Sequence, residues 1–190
     1  MKKTGMILFL MILLAAVAGC AAPVEEHGDH DHADHDHAEE AVTEVEPTPD
    51  EQVAEMEAMC AGAADAMAGR QAESSLYDRL GGRDAIQAVV ADTVARHQVN
   101  DAIVHTMEGV DAENLINQVT EFLVVATGGE GEYTGRDMAN AHAHLDLNNM
   151  HFLAAGGDLG AAMTAAGVGE EEKQEVLCAF VGLRGEVVTQ

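Results

Sequence analysis

From residue 74 to the C terminus, apolar side chains recur every three or four residues, which is the spacing of an amphipathic helix. Glycines interrupt this pattern at residues 81–82, 128–129 and 167–169. Because glycine is unfavourable inside a helix, these positions separate short helices from one another. Alternation of apolar and polar residues, the mark of a half-buried strand, is not evident in this region. The pattern predicts one all-α domain at 74–190, built from five or six short helices.

The same spacing predicts the extent of each helix. Asp111 is a favourable N-cap for one of them, and residues 170–172, all glutamate, suit the positive N-terminal end of another. Residues 51–73 are rich in Ala, Met and Glu and predict an additional N-terminal helix, with Gly69 as its stop. The helices predicted for the domain cover 75–80, 83–98, 111–126, 148–166 and 170–187.

Residues 1–20 have the pattern of a secretory signal. Lys2 and Lys3 precede an apolar run that is shorter than the roughly 20 residues needed to span a bilayer. The run closes with small residues before Cys20, and this ending resembles the lipobox of bacterial lipoproteins. The resemblance implies a lipid on Cys20 and an extracytoplasmic, membrane-anchored protein, at the outer membrane if the host is diderm, since residue 21 is Ala rather than Asp. The alternative is an ordinary cleaved signal with an incidental cysteine.

Residues 21–50 form an acidic, His/Asp-rich segment whose composition predicts a disordered tether. Imidazole nitrogens suit Zn, Cu and Ni, and neighbouring carboxylates add charge, so the segment predicts a labile transition-metal site. The alternative is a solvated spacer that holds the domain away from the membrane. The candidate metal ligands are His27, His30, His32, His35 and His37.

Charge and cysteine content limit the partners. The formal net charge is −25, which argues against nucleic acid and against direct binding to an anionic membrane surface. No feature indicates a protein partner. The only membrane contact that the sequence predicts is the lipid anchor. With Cys20 lipidated, Cys60 and Cys178 remain, and the sequence leaves open whether they pair in an oxidising compartment or remain small core residues.

The strongest candidate for chemistry is His142. It follows a Thr134-Gly135 turn signal, and Met138, His142 and Leu145 have the i, i+4, i+7 spacing of one helix face. Taken alone, such a histidine is more often an ordinary core residue than a ligand. An imidazole between apolar residues is also what a haem iron requires as its axial ligand.

Several segments together resemble the group 1 truncated haemoglobins of bacteria. The matching segments are SLYDRLGGRDAI at 75–86, FLVVATGG at 122–129, YTGRDMANAHAHL at 133–145, HF at 151–152 and LGAAMTAAGV at 159–168. The resemblance implies a two-over-two helical sandwich that encloses haem b, with iron bound by His142 and a diatomic gas (O2, NO or CO) as ligand. The other residues that the resemblance assigns to the haem pocket are Met138, Leu145, Tyr133, Val94, Met107, Leu115, Val119 and Phe152.

The chain departs from the family on the side of the pocket that faces the gas. Family members commonly carry tyrosine at the position of Val94, phenylalanine at Met107 and glutamine at Val119, whereas Gln118 is one residue out of register. The predicted wall is therefore apolar, with Thr93 and Leu115 completing it. We expect oxygen to dissociate faster than in typical members, because the hydrogen-bond donors that hold it are missing.

These observations predict a globin that binds a gas rather than an enzyme. The missing donors weaken the case for nitric oxide dioxygenation, which depends on held oxygen, and no nucleophile–base pair is apparent. The alternative function is a transition-metal-binding lipoprotein whose globin-like domain is structural and free of haem.

Overall fold

Helices account for the regular structure of residues 46–190, the part of the chain that the computed structural model describes. The signal sequence, Cys20 and the His/Asp-rich segment lie outside these residues. Within 46–190 there is no strand, and no helix is long and apolar enough to cross a bilayer. The helices are α1 (Pro49–Glu73), α2 (Leu76–Arg79), α3 (Gly82–His97), α4 (Ala112–Ala126), α5 (Met138–His142), α6 (Asn149–Ala165), α7 (Glu170–Gly182) and α8 (Arg184–Val187), with a 3₁₀ turn at Val104–Met107.

Helix α1 ends at residue 73 as predicted, but it begins two residues before the predicted 51–73 helix and passes through the stop predicted at Gly69. It begins at Pro49 because Thr48 and Glu51 form a capping box, in which each side chain accepts a hydrogen bond from the backbone of the other residue. Gly69 does not end the helix, which continues to Glu73. The last turn is held from outside, since Arg70 donates to Glu175 and the Gln71 side chain accepts from the Leu76 amide.

The core consists of two apolar clusters on either side of α3. Helix α3 packs against α4 on one side and against α6 on the other, and α6 in turn packs against α7. The α4 cluster contains the buried residues Ile86, Val90, Val94 and Val124. The α6 cluster contains Leu76, Val89, Leu159, Ala162, Met163 and Val176. The helix pair α3 and α4 packs against the pair α6 and α7 through the contact of α3 with α6, and this arrangement confirms the predicted all-α sandwich.

The predicted helix at 170–187 is two helices. Helix α7 ends at Gly182, and α8 begins two residues later at Arg184. Gly182 and Gly185 make this stretch a weak helix former. The break also lets the Arg184 guanidinium donate to the Asn149 side chain across 2.7 Å, an interaction between α8 and α6.

Helix α1 lies along α6 and α7 and is covalently attached to α7. The Cys60 and Cys178 sulfurs are bonded, with their Cα atoms 5.4 Å apart and 118 positions between them in sequence. The question that the sequence left open is thereby answered in favour of a disulfide. The buried side chain of Val53 anchors the N-terminal half of α1 by apolar contact.

Candidate functional site

His142 is the last residue of the short helix α5, which a tight local arrangement builds. The carboxylate of Asp137 caps the helix by accepting from the Asn140 amide at 2.8 Å, and this bond, with a second from the Asn140 side chain, lowers the pKa of Asp137. The preceding turn needs glycine at 135, because a Cβ there would overlap the Tyr133 hydroxyl. That hydroxyl donates to the Arg136 carbonyl oxygen at 2.8 Å. The Tyr-Thr-Gly signal therefore serves to set the direction of α5.

The hydrogen bonding of His142 determines which ring nitrogen is free. Its Nδ1 lies 2.8 Å from the Met138 carbonyl oxygen, which can only accept a hydrogen bond. The proton of the neutral imidazole is therefore on Nδ1, and the lone pair of Nε2 is available to a metal. His142 is half-buried, whereas His144, two residues later, is exposed. Orientation by a backbone carbonyl is the usual support for a histidine that binds iron.

One part of the prediction for this face is wrong. Leu145 does not continue the helix of Met138 and His142, because α5 ends at His142 and the Leu145 amide closes a turn onto the His142 carbonyl oxygen at 2.9 Å. A five-residue helix is too short to carry a third residue of an i, i+4, i+7 face. Met138 and Leu145 are both half-buried, so they remain candidates for contact with a ligand next to His142, but from different local structures.

The residues of the predicted gas-side wall lie at the α4 cluster. Met107, Leu115 and Val119 pack against the α4 cluster, which includes the buried Val94. Thr93 offers no hydrogen-bond donor to this wall, because its hydroxyl donates to the Val89 carbonyl oxygen at 2.8 Å. Gln118 is exposed. Four of the predicted pocket residues, Val94, Met107, Leu115 and Val119, are thus brought together in an apolar surface.

The two remaining aromatic residues of the predicted pocket have partners of their own. Tyr133 meets Phe122 edge to face, with ring centroids 5.4 Å apart, which links the turn before α5 to α4. Phe152 is buried and stacks on Phe180 at 4.3 Å, in the interface between α6 and α7. Their positions connect α5 and α6 to the core, and their contact with haem remains a prediction.

Two other histidines near α3 are engaged elsewhere. The Nδ1 of His97 lies 2.8 Å from Asp158 Oδ2, which also accepts from Asn100 at 3.0 Å, so this imidazole is anchored to α6. The exposed His105 meets His151 edge to face, with ring centroids 5.2 Å apart. Among residues 46–190, no group of three or more His, Cys, Asp and Glu side chains is close enough together to hold a metal ion.

An apolar cavity adjoins the core between α3, α4 and α6. Its volume is about 390 Å³, and its lining includes Leu80, Ile86, Val89, Leu123, Leu159 and Met163. The sequence indicated the apolar faces that surround it but not the space between them, because a cavity depends on how far apart the backbones lie. A space of this size and polarity admits small apolar molecules such as diatomic gases.

Comparison with known proteins agrees with this geometry. A family model described as bacterial-like globin matches residues 75–189. The group 1 truncated hemoglobin of Mycolicibacterium paratuberculosis is 35% identical over 121 residues, covering 63% of this chain and 89% of that protein. Its counterpart in Synechocystis is 36% identical over 107 residues, covering 54% of this chain and 86% of that protein.

Solved structures show the same fold. The ferric truncated hemoglobin of Tetrahymena pyriformis superposes with a TM-score of 0.57 at 25% identity, covering 62% of this chain and 100% of that chain. The 2/2 hemoglobin of Synechococcus, determined in the cyanomet state with covalently attached heme, gives the same values. Because the family model spans more than half of the sequence, the chain belongs to the bacterial-like globin family. Its fold is that of the truncated hemoglobins, and the relatives compared above are group 1 truncated hemoglobins.

Proposed function

We propose that this protein binds haem b through His142 and uses the iron to bind a diatomic gas. The observation that carries the proposal is the hydrogen bond from His142 Nδ1 to the Met138 carbonyl oxygen. It leaves the Nε2 lone pair free, which is the donor that a haem iron takes from an axial histidine. When bound, haem supplies the reversible coordination of a small gas molecule. Family membership and the hemoglobins among its relatives support the same conclusion.

The contribution of this chain lies in what surrounds the metal. Met138 holds the ring of His142 in one orientation and one tautomer, so Nε2 needs no reorganisation before it binds. Met107, Leu115 and Val119 form an apolar wall whose side chains offer no hydrogen-bond donor. Such a wall discriminates little between gases by hydrogen bonding, which favours CO and NO relative to O2. We therefore propose gas binding without dioxygenase activity.

Haem titration tests the proposal. We expect the wild-type protein to take up one haem per chain, to show a sharp Soret band and to keep that band after desalting. Replacing His142 with Ala should abolish retention because the iron loses its protein ligand. His144→Ala is the matched control, since His144 is exposed and two residues away, and it should behave as the wild type. If the wild type does not retain haem, the proposal fails.

We also propose that the protein is lipid-anchored outside the cytoplasm. The support is the order of a positive start, a short apolar run and Cys20 after small residues. Expression with labelled palmitate in a bacterial host should label the wild type and leave Cys20→Ser unlabelled. Equal labelling of both proteins, or of neither, would refute the anchor.

The His/Asp-rich segment is proposed as a labile binding site for Zn, Cu or Ni. The support is the alternation of five histidines with aspartates between His27 and His37, outside the residues that the structure describes. Calorimetric titration with Zn should give binding in the full mature chain that is lost when the five histidines are changed to Ser. Unchanged binding in that variant would exclude the segment as the site.

A further inference from the structure

Helix α1 is fixed to the globin domain at several points along its length. Near its middle the disulfide joins Cys60 to Cys178 of α7. At its C-terminal end Arg70 Nε donates to Glu175 Oε1 at 2.6 Å, and the Glu175 side chain is 5% exposed. These attachments hold α1 in one register against α6 and α7. The position of its N-terminal end is therefore also determined.

That N-terminal end meets a buried amide. Asn149, the first residue of α6, is 8% exposed, and its Nδ2 donates to Asp50 Oδ1 of α1 at 2.6 Å. The Oδ1 of the same amide accepts from Arg184 Nε of α8 at 2.7 Å. Glu57 of α1 lies 3.7 Å from the Arg184 guanidinium and adds a second link. Since a buried amide must have both its polar ends paired, Asn149 couples α1 to α8.

Helix α8 and the residues after it hold the segment that carries His142. Helix α8 packs against α5. The backbone amides of Thr189 and Gln190 donate to the Leu147 carbonyl oxygen at 2.9 and 3.3 Å, and the Gln190 side chain donates to the Asp146 carbonyl oxygen at 3.3 Å. Residues 184–190, called the C-terminal strap below, thus bind the chain within five residues of His142.

The segment held by the strap cannot maintain its conformation unaided. Helix α5 has five residues, none of them fully buried, and an isolated helix of that length is unstable in water. Asp146 adopts a φ of 54°, a left-handed conformation that is unfavourable for a residue with a Cβ. Neighbouring contacts must therefore supply the order of residues 138–147, and the C-terminal strap provides several of them.

From these contacts we propose that Arg184 and Asn149 are positioning residues. Through them, the packing of α1 on the domain stabilises the conformation of the segment that carries His142. The side chains of Arg184 and Asn149 are hydrogen-bonded to each other, whereas that of His142 is hydrogen-bonded to Met138. The path runs from Asp50 and Glu57 of α1 through Asn149 and Arg184 to the strap, and from the strap to α5 and Leu147. The consequence of this coupling for the orientation of His142 towards iron rests on the proposed haem function. The coupling between α1 and the His142 segment does not require haem.

Hydrogen exchange measured by mass spectrometry on the haem-free protein tests the coupling. Arg184→Met should speed exchange in peptides covering residues 138–148 about tenfold and leave peptides from α4 unchanged, because the strap loses its anchor. Asp50→Ala should have the same local effect from the α1 side. Arg184→Lys, which keeps an N–H donor for Asn149, should return exchange towards the wild type. Arg96→Met is the matched control, because within residues 46–190 the ion pair of Arg96 is with Asp92 on the surface of α3.

A second readout concerns the haem-loaded protein. Resonance Raman spectra of the ferrous form should show a broadened or shifted iron–imidazole stretch in Arg184→Met and an unchanged stretch in Arg96→Met. Equal exchange of the 138–148 peptides in wild type, Arg184→Met and Asp50→Ala would overturn the proposal, as would acceleration spread evenly over α4 and α5. Failure of the wild type to retain haem would refute the haem function alone, because the exchange experiment is done without haem.

Discussion

The chemistry proposed here depends on one proton and one lone pair of His142. The Met138 carbonyl oxygen fixes the proton on Nδ1, so a single backbone contact decides that Nε2 is the nitrogen available to iron. The candidate ligand was predictable from the resemblance, because two Gly-Gly corners and a Tyr-Thr-Gly turn ahead of a histidine are distinctive together. The tautomer of His142 was not predictable, because it depends on where α5 ends. The wrong prediction that Leu145 continues the helix has the same cause.

The apolar wall leads to a prediction about how Val119 affects the rate of oxygen dissociation. Val119→Gln restores a donor at a half-buried position beside the α4 cluster, and we expect oxygen to dissociate about tenfold more slowly as a result. CO dissociation should change little. Stopped-flow oxygen release from the haem-loaded protein measures the effect, with Val119→Leu as the apolar control. If Val119→Gln and Val119→Leu release oxygen at the same rate, the missing donor does not govern affinity.

A second residue-scale prediction concerns the buried hydroxyl of Thr120. Its Oγ1 lacks a hydrogen-bond partner among residues 46–190, and the residue is 1% exposed. Thr120→Val removes this unpaired group at nearly constant volume and should raise the free energy of unfolding by about 1 kcal/mol. Thr127→Val is the control, because its hydroxyl donates to the Leu123 carbonyl oxygen at 2.7 Å and its loss should bring no gain. Urea unfolding separates the two. Destabilisation by Thr120→Val would show that the hydroxyl is paired.

At the scale of elements, α1, α2 and α7 meet at the carboxylate of Glu175. Burial raises the pKa of this group, but hydrogen bonds from Arg79 and Arg70 outweigh burial and leave it below its ordinary value of 4.5. A carboxyl whose pKa is lowered by folding stabilises the protein above its unfolded pKa, and the stabilisation is lost as the pH falls through its folded pKa. The junction should therefore weaken in acid, below about pH 4.5.

Glu175→Gln tests this junction. At pH 7 we expect the variant to be less stable by about 2 kcal/mol, because two guanidinium groups lose their shared anion in a buried setting. The difference from the wild type should shrink as the pH falls below 4.5, because the lowered pKa of Glu175 lets the unfolded chain bind a proton at this residue before the folded protein does. Glu121→Gln is the control, since Glu121 pairs with Arg83 in solvent and its loss should matter little. A deficit that stays constant down to pH 3 would contradict this explanation.

Helix locations were predictable because their signals are local. The Asp111 cap, the glutamates at the start of α7 and the glycines at 128–129 all act within one turn of the backbone. The boundaries that were wrong depend on distant partners. Gly69 lies inside α1, whose last turn is held by the bond between Arg70 and Glu175, and the break after Gly182 accompanies the bond between Arg184 and Asn149. Those partners are 105 and 35 positions away in sequence, beyond the reach of a periodicity argument.

At the scale of the whole molecule, the chain combines a globin domain with a helix that is covalently fastened to its outside. The resemblance covered the globin domain and predicted its helical sandwich, but it contained no information about where α1 would lie. Composition alone predicted a helix at 51–73 and left the pairing of Cys60 with Cys178 open. The disulfide and the Asn149 amide show that α1 is part of the folded unit rather than a spacer.

The proposed role of His142 as the iron ligand is tested by replacing its side chain with free imidazole. His142→Gly should bind haem weakly and lack the wild-type visible spectrum, because the protein ligand is gone. Added imidazole should then occupy the vacated space and restore the wild-type spectrum. A His142→Gly protein that keeps the wild-type spectrum without imidazole would exclude His142 as the ligand, because another residue would then bind the iron.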